Sequence, residues 1–227
     1  MILLKIGCII PVYNTGRLLD DVLEQLKKFF HFSDILIVDD GSLDDTALYA
    51  EKHNTALIRH CKNRGKGAAL RTGFHWSENR GYDAVLTIDG DGQHDPARIP
   101  AFLKKMKSGA DIVLGSREFE PGTMPLDRIF SNYTSTLLVS LLAGRRLKDS
   151  QCGYRLIKTR VLKSLNLHTN RYELETELLV KAIRKGWQVA FCPVPAIYNG
   201  GISHIQRFPD TVRFCRLFIK LMYFWDD

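Results

Sequence analysis

The sequence predicts an α/β fold, a mostly parallel sheet flanked by helices on both faces, and three observations carry that prediction. Short apolar runs alternate with helical periodicities through the first half, as repeated strand–helix–strand units do. The runs are continuous rather than alternating, as strands buried on both faces require. Each run ends in a polar cluster, and the carboxyl ends of parallel strands gather on one edge, where ligands bind.

The elements follow in order. Ile6 to Val12 is a continuous apolar run, suited to a central strand. Leu18, Leu19, Val22, Leu23 and Leu26 then recur at helical spacing. Ile35 to Val38 is a second strand, ending in Asp39-Asp40-Gly41-Ser42, and Asp44 is placed to cap a helix through Lys52. Thr55 to Arg59 is a third strand. Lys66 to Glu78 is a helix entered through Gly65 and Gly67. Ala84 to Ile88 is the fourth strand. Pro96 opens a helix to Lys107, since proline suits a first turn. Asp111 to Gly115 is the fifth strand, ending in Ser116-Arg117.

The second half is less regular. Leu126 to Leu142 reads as a helix, and Asp149 to Arg155 as a polar, glycine-containing stretch. Tyr172 to Lys185 is a helix closed by Gly186. Val189 to Val194 is a strand, followed by a loop from Pro195 to Pro209. Asp210 to Phe224 is a basic, aromatic, amphipathic segment. No linker is visible, so residues 1–227 read as one domain with a sheet half, 1–118, and an accessory half, 119–227.

The chain has 227 residues, 45% hydrophobic and 25% charged, the composition of a globular domain without low-complexity tracts. A net charge of +7 favours anionic partners. Nucleic acid is the least supported of these, because no aromatic-basic RNA motif or recognition helix is present. The five cysteines are odd in number and lack C-x-x-C spacing. That argues against a disulfide framework or structural zinc and for a reducing, cytoplasmic setting. The first residues read as a strand, not a signal peptide, and no apolar run reaches the ~18 residues of a membrane span.

The chemistry concentrates at Asp89-Gly90-Asp91-Gly92-Gln93-His94. A buried strand here delivers two carboxylates separated by one glycine. Two carboxylates so close repel, and a divalent cation relieves them. Oxygen donors without thiolates suit Mg or Mn. Gln93 adds a neutral oxygen, and His94 competes with it for the third place; an oxygen site prefers Gln93. Lys66 stands in a glycine-flanked turn at a helix start, where anions are attracted, or else it is a solvated lysine.

Further pieces make the pattern specific. They are Ile10-Pro11-Val12-Tyr13-Asn14, Val38-Asp39-Asp40-Gly41-Ser42, Asn63-Arg64-Gly65-Lys66-Gly67, Gly115-Ser116-Arg117 and Cys152-Gly153-Tyr154-Arg155. With the acidic pair, they resemble a family-2 glycosyltransferase of the GT-A fold, in the dolichyl-phosphate mannose synthase and polyprenyl-phosphate branch. The resemblance implies inverting transfer from a UDP- or GDP-linked sugar, with Mg or Mn, to a lipid phosphate. It assigns the diphosphate to Asp89, Gly90 and Asp91, and the metal to Asp89, Asp91 and Gln93; Lys66 joins the diphosphate side from its place at the helix start. Pro11, Tyr13 and Asn14 would shape the base and ribose pocket, and Asp40 would accept from the base ring N–H. Arg117 and Arg128, with Ser131 or Asn132, would hold the acceptor phosphate. Asp91, Arg117 and Glu175 are the catalytic candidates. Thr15, Lys66 and the arginine-free stretch from Asn199 to His204 depart from the synthases, which leaves sugar and acceptor open.

Alternatives stand beside these roles. Tyr13 serves equally as packing, and Arg128 as a solvated surface residue. One of Asp39 and Asp40 holds the turn. Glu173, Glu175 or Glu177 is a general base if the acceptor is a sugar hydroxyl, or Arg155 and Glu175 form a structural pair. The segment with Arg213, Arg216, Lys220, Tyr223 and Trp225 lies on the cytoplasmic membrane face or packs on the core. A nucleotidyltransferase is disfavoured, because Pro11-Val12-Tyr13-Asn14 stands where a glycine-rich signature with lysine belongs. An idle binding module is disfavoured by the intact acidic pair.

Overall fold

The computed structural model describes residues 4–118, 126–197 and 207–223, apart from the side chains of residues 118, 126–128 and 207–211. Its centre is one seven-stranded sheet. The strands are β1 (Ile6–Val12), β2 (Ile35–Asp39), β3 (Ala56–Arg59), β4 (Ala84–Thr87), β5 (Ile112–Glu118), β6 (Arg155–Lys158) and β7 (Val189–Pro195). Their order is β3-β2-β1-β4-β6-β5-β7. β1 pairs parallel with β2 and β4, β2 with β3, and β5 with β7. β6 is antiparallel to both neighbours, with Leu86 opposite Leu156 and Val113 opposite Leu156 on the other side.

Six strands therefore end on one edge, and β6 begins there. Pro11 is tolerated in a central strand because it lies past the β4 ladder, which stops at the pair Ile9 and Thr87, so its missing N–H breaks no bond to β4. The sequence does not predict β6. Only Leu156 and Ile157 are apolar there, between a buried arginine and a lysine.

The pleat sorts the core into two layers. Ile9, Leu36, Val38, Val85, Ile112 and Leu114 face one side of the sheet. Cys8, Ile10, Val12, Ile35, Ile37, Leu86 and Val113 face the other. The first layer is covered by α3 (Lys66–Asn79), α5 (Leu126–Ala143), α7 (Glu173–Arg184) and α8 (Arg207–Tyr223). The second is covered by α1 (Leu18–Leu26) and α4 (Ile99–Lys107). The short helices α2 (Thr46–Lys52) and α6 (Thr159–Lys163) complete the set. Asp44 accepts from the N–H of Thr46, first residue of α2, at 3.1 Å. Ahead of α4, Pro96–Arg98 form one 3-10 turn capped by Asp95, whose carboxylate accepts from Ala97 N–H.

Two cationic or anionic side chains tie the second half together. Arg184 of α7 donates to the carbonyls of Leu142 and Leu221, capping two helix ends that would otherwise leave acceptors unmet. Glu177, 2% exposed, accepts from the N–H groups of His168 and Thr169, the Thr169 hydroxyl and Lys181 Nζ. Burial pushes its carboxyl up, but the Thr169 and Lys181 hydrogen bonds outweigh this and hold it below the ordinary 4.5. Its contribution is complete above that ordinary value and is lost as pH falls through the lowered folded value. Glu177→Gln is expected to cost about 2 kcal/mol at pH 7 and to flatten the acid limb of the stability profile. Urea titrations from pH 3 to 7 check both.

α8 buries Leu217 and Leu221 against the core and exposes Ile219, Met222 and Tyr223. α5 exposes Phe130, Tyr133, Leu137 and Leu141, which share one face at helical spacing. Among the described residues no helix is long and apolar enough to cross a membrane.

Candidate active site

The acidic pair lies just past β4. Gly90 lets the backbone pass over β1, since a Cβ there would sit 2.7 Å from Val12 Cγ1. Asp91 Oδ1 accepts from Gln93 N–H at 3.0 Å. Asp89 Oδ1 is 2.7 Å from Lys66 Nζ, and its Oδ2 is 3.3 Å from His94 Nε2. His94 in turn lies against the Tyr154 ring. His94 thus holds Asp89 from behind. The two carboxylates have opposite electrostatic fates. Burial raises Asp89, but Lys66 and His94 outweigh it and hold that carboxyl well below the usual range. Burial and the Asp89 charge push Asp91 up.

Lys66 comes from the turn that enters α3, and Asp40 builds that turn. Asp40, 2% exposed, accepts from Arg64 N–H at 3.0 Å and Gly65 N–H at 2.6 Å. Its Oδ1 also lies 2.6 Å from His60 Nδ1, and His60 Nε2 is 3.0 Å from Thr72 Oγ1. These partners hold the 64–65 turn and engage both Asp40 oxygens. The adjacent Asp39 accepts from Ser42 N–H at 2.8 Å through Oδ1. Asp39 Oδ2 has Arg59 Nε at 3.0 Å but no aligned hydrogen bond among the described residues. Gly65 (φ 102°) and Gly67 are required by close packing: Cβ atoms there would sit 2.6 Å from Asn170 O and 2.5 Å from Arg171 O.

β6 brings the 149–155 stretch to the same edge. Arg155, 2% exposed, donates to the carbonyls of Ser150, Cys152 and Glu175. It also lies 3.7 Å from Glu175 Oε1, while Glu175 Oε2 is 3.3 Å from Lys66 Nζ. Glu175 is therefore both the structural partner of Arg155 and a neighbour of the acidic pair. Glu177 is committed to the 168–169 backbone and is no candidate base. Arg117 forms a fork on Asp149 through Nε and Nη2 at 2.8 and 3.1 Å. Asp149, 2% exposed, opens the stretch that the sequence singled out, and His60, which gave no sequence signal, also belongs to the architecture of the site.

Gly153 closes the wall. A Cβ there would lie 2.7 Å from Asp89 Oδ2 and 2.8 Å from Lys66 Nζ. Gly153→Ala is expected to push this pair apart, lowering any activity that uses it at least ~10-fold, with the fold retained. Initial rates beside a thermal midpoint check it.

Around β1, Pro11 stands in register with Val38 and Val12 with Asp39. Asn14 adopts φ 51°, its N–H donates to Ser42 Oγ, and its Oδ1 accepts from Leu43 N–H. Tyr13 is half-buried beside it. Ser131 is exposed and Asn132 half-buried on α5. The side chain of Arg128 and the stretch 199–204 lie outside the described residues.

Among the described residues no three acidic, histidine or cysteine side chains are grouped to hold a metal. Two carboxylates, one of them short of positive partners, still fit a hard cation that takes its remaining ligands from water and phosphate. Gln93 approaches Asp91 through its backbone N–H.

The sequence profile described as Glycosyl transferase family 2 matches residues 8–165. An undecaprenyl-phosphate mannosyltransferase of Micrococcus luteus is 29% identical over 84% of this chain and 83% of its own length. A polyprenol monophosphomannose synthase of Mycolicibacterium smegmatis is 30% identical over 82% and 75%. Glucosyl-3-phosphoglycerate synthase of Mycobacterium tuberculosis, solved with Mn2+, UDP and glucosyl-3-phosphoglycerate, superposes with a TM-score of 0.73 at 19% identity, over 96% of this chain and 78% of that one. That likeness places the architecture among GT-A folds.

Proposed function

Because the chain belongs to glycosyl transferase family 2 and is a glycosyltransferase, we propose that it moves a sugar, with inversion, from a nucleoside diphosphate to a polyprenyl phosphate. The observation that carries this reading is the linked set Asp40–turn–Lys66–Asp89–Glu175–Arg155, which brings both carboxylates and one ammonium to the sheet edge. The Micrococcus and Mycolicibacterium relatives, named for undecaprenyl phosphate and polyprenol, support the acceptor.

Asp89, Asp91 and Gln93 would hold a Mg or Mn ion, which would supply charge neutralisation for the leaving diphosphate. The chain's residues do the rest. Pro11, Tyr13 and Asn14 would floor the base and ribose pocket, and Asp39 Oδ2 is the buried oxygen left for the base once Asp40 is spent on the turn. Lys66, 2.7 Å from Asp89, would face the phosphates. An acceptor that is already anionic needs no base, and Glu175 then serves to position Arg155 and Lys66. Residues 1–118 would form the donor half, and 119–227 the acceptor half, where Arg128, Ser131 and Asn132 would meet the lipid phosphate. The exposed apolar residues of α5 and α8 would rest on the membrane surface.

Incubation with UDP- or GDP-linked sugars, Mn2+ and a short polyprenyl phosphate tests the reaction. Release of nucleoside diphosphate with a glycosylated lipid is expected. Pyrophosphate release, or transfer only to sugar hydroxyls, would overturn it. Co-sedimentation of Leu137→Glu/Ile219→Glu with anionic vesicles tests the surface, and binding equal to the unaltered chain would remove the membrane contact.

A further inference from the structure

Lys66 already supplies a cation to the acidic pair. Its ammonium lies 2.7 Å from Asp89 Oδ1 and 3.3 Å from Glu175 Oε2, with its side chain 19% exposed. Gly153 presses on this contact from one side. The other oxygens of the group have their own neighbours: Asp89 Oδ2 faces His94, Glu175 Oε1 faces Arg155, and Asp91 Oδ1 caps Gln93. One carboxylate of the pair is thus neutralised within the protein and the other is not.

An ammonium and a divalent cation compete for Asp89 Oδ1. At contact distance, in a site mostly shielded from water, they repel strongly. A lysine, however, is a point charge on a flexible four-carbon stem, able to turn from one anion to another. A diphosphate would supply that second anion.

We propose that Lys66 is a built-in counter-ion that makes divalent-cation binding conditional on the diphosphate. In the empty site it holds Asp89 against the metal. When the diphosphate arrives, the ammonium moves onto phosphate oxygens and Asp89 passes to the metal. The coupling is reciprocal, so the metal must also favour the diphosphate-bound position of Lys66. This deepens the sugar-nucleotide reading above and rests on it, adding an order of assembly and the residue that imposes it.

Binding of Mn2+ to the full chain, followed by the free-ion paramagnetic resonance signal, tests the idea without turnover. The comparison is between the unaltered protein, Lys66→Met and Lys66→Arg. Without nucleotide, K66M is expected to bind Mn2+ at least ten-fold more tightly than the unaltered chain, and K66R to behave like the unaltered chain. In the presence of chelator, K66M is expected to lose at least five-fold in affinity for UDP or GDP, whichever the unaltered chain binds. A gain in metal affinity cannot come from a damaged fold, so misfolding does not imitate the result. Lys66→Gln provides a second neutral variant.

Manganese affinity in K66M and K66Q that is equal to or weaker than that of the unaltered chain would overturn the counter-ion role. Unchanged nucleotide affinity in K66M would overturn the transfer of the ammonium to phosphate. If neither UDP nor GDP binds any of the proteins while the manganese gain is present, the sugar-nucleotide reading falls and the counter-ion role stands.

Discussion

Asp91→Asn is expected to lower sugar transfer at least ~100-fold while leaving the metal-free protein as stable as before or more so. The two halves of this result have one cause. Asp91 is half-buried, and burial and the neighbouring Asp89 charge push its carboxyl up. The folded protein holds that charge at a disadvantage, which is the usual mark of a group kept for function. The amide preserves shape and can keep its oxygen on Gln93 N–H. It removes the charge that the proposed cation would need. Transfer rates at saturating donor, set beside the thermal midpoint in chelator, check the prediction. A clear loss of stability, or activity within ten-fold of the unaltered enzyme, would show that Asp91 is only an acidic turn.

Arg155→Met should give the opposite profile, a stability defect first. The arginine is 2% exposed and donates to three carbonyls, those of Ser150, Cys152 and Glu175, as well as standing near the Glu175 carboxylate. Methionine fills much of the volume and offers no donor. Three acceptors and one carboxylate are left short of partners in a buried place. Breaking such a buried arrangement costs about 3–5 kcal/mol. For a chain of this size the midpoint should fall by about 10 °C. Activity should fall as well, because the clamp sets the 150–153 stretch against Asp89 and Lys66. Calorimetry and rates measured well below the lowered midpoint separate the two effects. A fall under 3 °C would mean that the carbonyls find other donors.

The sequence made some of this legible and hid the rest for identifiable reasons. β1, β2 and β4 are runs of branched apolar residues buried on both faces, and such runs announce themselves. The acidic pair after β4 could be placed on the ligand edge because parallel strands all end there. β6 could not be read, since Arg155 looks like a surface residue until the distant carbonyl of Glu175 is brought to it. Asp39 and Asp40 are identical neighbours in sequence. Only the fold distinguishes them, by turning Asp40 toward the Arg64–Gly65 backbone. Arg117 reads as an available guanidinium because Asp149, its partner, lies 32 positions away along the chain. Lys66 reads as an anion ligand, and the structure gives it two carboxylates instead.

The place of β6 has a consequence for synthesis on the ribosome. The strands β3-β2-β1-β4 are contiguous in the sheet and complete once residue 87 has been made. β5 is translated next but has no neighbour within that block, because β6 stands between it and β4. The nascent chain must therefore carry β5 unpaired for about forty residues until Arg155–Lys158 emerge. Stalled nascent chains in which residue 87 has cleared the exit tunnel should already protect β1, β2 and β4 from protease, whereas β5 should gain protection only once residue 158 has cleared it as well.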